Sequence, residues 1–202
     1  KADMRAGYVN GQTGWFFSQD LTTNYSAYKC ESMQRLFRFH ALDHGEWVQN
    51  NLKLSITNLK LSTNQGDPYG TFTVEVRSAN DTDGSKSVIE KYTNCSLNPS
   101  SVHYVARKVG DKYVTYSDNT GLLKEYGQFD NQSRYIRIEM HSDVEAGSTD
   151  ASYLPFGVFG PPRFKAFIAL SGAAYPQKYT PSFDDTSLPG NEVNTWVTGA
   201  AD

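Results

Sequence analysis

The sequence predicts an α+β (mixed α/β) domain: a β-sheet with at least one packed α-helix, at about residues 99–109, between irregular, loop-rich flanks. Three stretches, at 52–56, 71–77 and 134–140, alternate apolar and polar residues with the period of a half-buried strand. One segment between the second and third of these carries helix signals at both ends and an apolar stripe between them.

Taken in order, residues 1–34 are rich in Gly, Asn, Tyr and Thr and have no helical period, so they read as loops and short strands. Order sharpens from Leu36. In Leu52-Lys53-Leu54-Ser55-Ile56 apolar and polar residues alternate. Asp67-Pro68-Tyr69-Gly70 is turn chemistry. From Thr71 to Arg77 the faces separate: Phe72, Val74 and Val76 point one way, Thr73, Glu75 and Arg77 the other. A polar loop from Ser78 to Ser87, carrying Asp83-Gly84, leads into Val88–Tyr92, which should return antiparallel.

In the helical segment, Asn98 suits the N-cap and Pro99 the first helical position. Val102, Val105, Ala106 and Val109 fall at i, i+3, i+4 and i+7, making one buried stripe. Arg107 and Lys108 occupy the last turn and Gly110 ends it. After a polar stretch, Arg134–Met140 is the returning strand, with Ile136, Ile138 and Met140 on one face. The helix is expected to pack on a single sheet holding Leu52–Ile56, Phe72–Val76 and Arg134–Met140. Leu154–Pro162 is apolar, but its prolines and glycines exclude a regular helix. Phe164–Leu170 reads as one more strand, and from Ser171 prolines and small polar residues dominate. The organisation expected is a loop-rich N-terminal segment (1–35), an α/β domain (36–170), and an irregular tail or the start of a further domain (171–202).

At 202 residues the chain is long enough for one substantial core. The net charge of −3 comes from interleaved acidic and basic residues, which is not the basic stripe that draws a protein to nucleic acid. No apolar run approaches the roughly 20 residues needed to span a bilayer. The chain opens on a polar stretch at Lys1 and stops at Asp202 without a terminating element, which reads as a fragment. Cys30 and Cys95 allow one long-range disulfide but neither a disulfide scaffold nor a metal site. Four N-x-S/T sequons, at Asn24, Asn80, Asn94 and Asn131, are what an Asn- and Ser/Thr-rich sequence produces by chance.

Three constellations invite chemistry. His40 and His44 have the i, i+4 spacing of zinc ligands on a helix, yet there is no general-base Glu between them and no third ligand, and Gly45 favours a turn. Asp81-Thr82-Asp83-Gly84 resembles the start of a calcium loop, but position 92, where the closing Glu belongs, is Tyr92. A polar hairpin tip explains the same residues. Glu139, Asp143 and Glu145 suggest the paired carboxylates of a glycosidase, though a solvated rim at a strand end has the same composition. No nucleophile elbow or phosphate-binding Gly-rich loop is present. The expectation is no catalytic residue, no metal and no cofactor.

Several segments together resemble the middle region of contractile phage tail sheath proteins. A Gly-x-Trp-x-x-Asn motif leading into a strand is found in Ala41-Leu42-Asp43-His44-Gly45-Glu46-Trp47-Val48-Gln49-Asn50, continuing through Ile56. The strand Thr71–Arg77 follows. Glu90-Lys91-Tyr92-Thr93-Asn94-Cys95-Ser96-Leu97-Asn98-Pro99-Ser100-Ser101 is similar to the family's Glu-x-Tyr/Phe-x-Asn segment and its Leu-Asp/Asn-Pro-x-Ser helix start. Tyr104–Asp111 and Arg134–Ile138 match the helix and returning strand that come next. The likeness covers about half the chain. Val48-Gln49 departs from the family's Trp-Gly-Asn form, and the family's C-terminal core is not visible.

The resemblance implies a structural protein and no enzyme. Its subunits polymerise as a helical sheath around a tail tube, with tube, baseplate and tail-terminator proteins as partners, in a virion assembled in the host cytoplasm. In that reducing compartment both cysteines would be free thiols. This chain by itself would be a soluble monomer. A bacterial contractile injection system would look the same. Two other classes compete: a secreted carbohydrate-binding or adhesin module, which predicts a β-sandwich without a core helix, and a hydrolase built on the carboxylates around Glu139.

Overall fold

The computed structural model describes residues 10–19, 32–44, 46–117 and 120–159. The chain divides between Phe159 and Gly160, and all of these residues belong to the first unit. The expected strand at Phe164–Leu170 and the expected tail at 171–202 lie outside the described residues. In chain order the elements are β1 (Asn10–Gln12), β2 (Trp15–Ser18), β3 (Arg35–His44), α1 (Trp47–Asn51), β4 (Leu52–Lys60), β5 (Thr71–Ser78) and β6 (Val88–Ser96). Then come α2 (Val105–Val109), β7 (Tyr113–Ser117), β8 (Leu122–Tyr126), β9 (Ile136–Met140), α3 (Ser142–Glu145) and β10 (Pro155–Phe159). Strand accounts for 48% of the described residues and helix for 11%. The α+β class therefore holds loosely, with helix packing a minor part. No helix among these residues is long and apolar enough to cross a membrane.

Strand β3 is the hub of the five-stranded sheet. Its alternation of Phe37, Phe39 and Ala41 with Arg38 and His40 gives it one apolar face, and its length lets three strands pair with it. β1 joins its C-terminal half, β2 its N-terminal end and β9 its middle, all antiparallel, while β10 pairs with β2. Thr13 fastens the β1–β2 corner: its amide donates to Phe39 O, and its Oγ1 accepts from Phe39 N.

The second sheet is the antiparallel meander β4–β5–β6, in which Leu54 pairs with Val76 and Val74 with Tyr92. The two sheets share one core. Phe37, Phe39, Ile136 and Ile138 from the first meet Phe72, Val74 and Val76 from the second, all buried. The Phe37 and Phe72 rings stack at 5.7 Å with an interplanar angle of 10°.

Two expectations are corrected here. The helix does not span 99–109 but only Val105–Val109, a single turn. Asn98 and Pro99 belong instead to a local turn: Asn98 Oδ1 accepts from Ser100 N, and Ser101 Oγ accepts from His103 N. The end of β6 claims the next residues, because Ser96 N donates to His103 O and Ser96 bridges Tyr104 in parallel. Side chains of Ser and Asn that bond the local backbone compete with helix in this way. Val102 is left 67% exposed, whereas Val105, Ala106 and Val109 are buried as the stripe predicts. Gly110 closes the turn at φ +102°, where an added Cβ would lie 2.2 Å from Asn131 Cα. The second correction concerns the sheet. Ile136–Met140 carries the expected apolar face, but it pairs with β3, in the sheet opposite Leu52–Ile56 and Phe72–Val76. An apolar face fixes which side of a strand is buried, not which layer the strand joins.

Candidate functional site

Strand β3 places His40 and His44 on an extended backbone, so the helical i, i+4 geometry of a zinc pair does not exist. His40 is turned instead toward Glu139, its Nε2 2.5 Å from Glu139 Oε2. Arg38 grips the same carboxylate with a two-point fork, Nε to Oε2 and Nη2 to Oε1, each at 2.9 Å. The β3–β9 register sets this up by placing Arg38 opposite Glu139 and His40 opposite Arg137. Both guanidiniums lie over aromatic rings, Arg38 on Trp15 at 4.7 Å and Arg137 on Tyr113 at 4.2 Å. The result is a charged clasp across the outer face of the sheet.

Burial, helped by the Arg137 charge, lowers the His40 pKa and keeps the ring neutral at higher acidity than usual. Burial alone would raise the Glu139 pKa, but the hydrogen bonds from Arg38 and His40 outweigh it and hold the carboxyl below its ordinary value. Both depressions destabilise the fold in acid. Glu139 contributes above its unfolded value, and that contribution is lost as pH falls through the lower folded one. For His40 the unfolded chain takes up the proton first, so stability falls from about pH 6.5 downward. Between about pH 7 and about pH 5.5, the melting temperature of the native chain should therefore drop more than that of His40→Gln. Equal slopes would remove His40 from the acid response.

The other two sequence-nominated carboxylates are not gathered into this clasp. Both lie on α3: Asp143 faces His141 at 3.4 Å, and the Glu145 pKa is raised by burial and then by the charges of Asp111 and Glu139.

The Asp81–Asp83 loop already has a cation, and it comes from the chain. Arg77 reaches from β5 to Asp81 through Nε at 2.8 Å and Nη2 at 2.7 Å, and to Asp83 through Nη1 at 3.0 Å. Lys53 adds a contact of 2.6 Å to Asp81, and Ser87 N donates to its Oδ2 at 2.8 Å. These bonds hold the Asp81 carboxyl far below the ordinary range. The long side chains also explain why both faces of β5 are buried, since Glu75 is capped by Lys91 at 2.9 Å. Chelator is expected to leave the melting temperature unmoved. A fall of many degrees would reveal a metal that the Arg77 clamp does not account for.

Cys95 is a buried free thiol whose pKa burial pushes up to about 11, and Cys30 lies outside the described residues. Asn24 also lies outside them. Asn131 is committed to structure: its Nδ2 donates to Lys112 O and its Oδ1 accepts from Lys112 N.

Two further features were not legible in the sequence. The first is the ribbon β7–β8, which among the described residues pairs only with itself. On one of its faces Val114, Tyr116 and Leu123 are exposed, and on the other Tyr113 stacks on Tyr126 beside Arg137. The second is a cleft of about 180 Å³ between the sheets at the β1 end. Phe39, Ala41, Leu52, Leu54, Val76 and Ile136 line its apolar wall, and the exposed Gln12 and Gln49 stand among its polar residues. No carboxylate lines it. Such a site can take an apolar side chain; it holds no acid or base pair. No protein-family model, no curated protein and no solved structure matches the chain.

Proposed function

We propose that this chain is a structural, non-enzymatic subunit of a contractile phage tail sheath, acting by self-assembly into a helical sheath around a tail tube. One observation carries the reading. The segments that resemble the family, from Ala41 to Ile138, are the same ones that build most of the core: Phe72, Val74, Val76, Cys95, Leu97, Tyr104, Val105, Ala106, Val109, Ile136 and Ile138. An ordered run of motifs that coincides with one core is a likeness of folding units rather than of scattered words. Tube, baseplate and terminator proteins would be its partners, and a bacterial contractile injection system is the nearest variant.

The experiment is electron microscopy of a longer chain that contains this one. Tubes in two lattices of different pitch are expected, with this domain toward the outside. A protein that stays monomeric in every condition would end the reading.

A second reading has its own support. Two facing sheets with only one turn of core helix come closer to a carbohydrate-binding module than the expected long helix allowed. Trp47, 57% exposed, stacks on Tyr135 at 6.0 Å in the manner of a sugar platform. Glycan binding abolished by Trp47→Ala would favour it.

A further inference from the structure

We infer that His40 is a proton-operated latch for the β7–β8 ribbon: in mild acid, a proton on His40 drives Arg137 off Tyr113 and frees the blade of the ribbon from the sheet. The β3–β9 register sets His40 directly opposite Arg137. Residues so paired share one face of the sheet with their Cβ atoms about 5 Å apart, and like charges there repel. From that face the Arg137 guanidinium reaches the Tyr113 ring, 4.2 Å from its centre, and Tyr113 stacks on Tyr126 at 5.3 Å. A single side chain thus stands between the titrating ring and the ribbon.

The ribbon is fastened at its base and loose above it. Gln128 N and Phe129 N donate to Asp111 Oδ1, Lys112 N donates to Asn131 Oδ1, and Asn131 Nδ2 donates to Lys112 O. Beyond that base the two strands join neither sheet, and every residue in them except Ser117 is exposed. A cation over a ring at so exposed a site is weak enough for one added charge to undo.

The charges around His40 decide which group gives way. Arg38 is held by its fork on Glu139 and by Trp15, whose ring His141 meets edge-on at 5.7 Å. Lys53, which lines the same cleft as His40, is paired with Asp81, and Gln12, opposite His40 on β1, is uncharged. Among the described residues Arg137 has no carboxylate at ion-pair distance; Glu139 and Asp111 attract it from further away, and Glu145 adds its negative field at Glu139. Arg137 is therefore the cation that moves. Burial and then the Arg137 charge hold the His40 pKa down, and linkage is reciprocal: what the seated Arg137 takes from the affinity of His40 for a proton, the proton takes from the seat of Arg137. Above about pH 6.5 the ring is neutral and the latch holds, and it opens as pH falls through the lowered value. Glu139, kept below its ordinary range, stays charged throughout. The device stands whether or not the chain assembles into a sheath.

Nuclear magnetic resonance of the native 202-residue chain from about pH 7.5 to about pH 5 tests it. The ring-current shift of the Arg137 δ protons should fade along a curve with the same midpoint as the His40 ring. Amides of β7 and β8 should lose about threefold in protection against hydrogen exchange, corrected for the intrinsic effect of pH, while those of β5 and β9 keep theirs. In Arg137→Gln the His40 midpoint should rise, and the ribbon should be equally unprotected at both ends of the range. His40→Gln should hold the Arg137 shift constant, and His141→Gln should leave the native response intact. The latch is overturned by a His40 ring that titrates with the Arg137 shift unmoved, or by a His40 midpoint unchanged in Arg137→Gln. A response that survives His40→Gln, one that vanishes in His141→Gln, or equal loss of protection in β5 and β9 would overturn it as well.

Discussion

Val105→Asp is expected to cost the domain about 3 kcal/mol or more, a large share of the roughly 5–15 kcal/mol that holds a domain folded. Val105 has no exposed surface and opens α2, whose remaining buried residues, Ala106 and Val109, face the same core. A carboxylate there is buried with no cation placed to meet it, since Arg107 turns outward onto Phe129 and Lys108 onto Thr93 O. Because the helix is only one turn, it cannot hold its place by its own hydrogen bonds and depends on this packing. Urea unfolding monitored by circular dichroism checks it, with Val105→Ala as the milder companion. A variant as stable as the native chain would remove α2 from the core.

Phe37→Ala should cost about 3–5 kcal/mol, the range for deleting a fully buried aromatic side chain. Phe37 is the junction of the two layers. It stacks on Phe72 of the opposite sheet and on Phe16 of the neighbouring strand, and it meets Phe39 edge-on at 5.5 Å. The cavity left behind is walled by two rigid sheets and cannot collapse cheaply. Phe37→Leu should recover part of the loss. The loss should appear in the midpoint of the urea transition with its slope nearly unchanged. A midpoint shift no larger than that of a surface substitution would mean that the sheets are not joined there.

What could be read in advance follows from where each signal resides. Strands β4, β5, β6 and β9 were legible because one face of each is in the core and the alternation records it. Strand β3 had the same signal in Phe37, Phe39 and Ala41, but it was masked by the helical spacing of His40 and His44. The ribbon β7–β8 left no period, because nearly all of its residues are exposed and its strands join neither sheet. Asn98 and Pro99 looked like the start of a long helix, since a cap and a local turn use the same side-chain oxygen. The clasp of Arg38, His40 and Glu139 was beyond reach, because it depends on the register of strands 101 positions apart. Arg77, by contrast, stands four positions before Asp81, and its place beside the acidic loop was open to notice.

That separation of 101 positions also sets an order of events. The meander β4–β5–β6 closes through loops of about ten residues and can form as soon as its own segment is available. Strand β3 precedes it in the chain but finds its partner β9 only after the meander, α2 and the ribbon have all been made. A late, long-range closure of this kind is expected to slow folding. During that wait Phe37 and Phe39 lie along an unpaired edge. Newly made chains are most vulnerable to clumping then, and lower growth temperature with slower synthesis should raise the soluble yield.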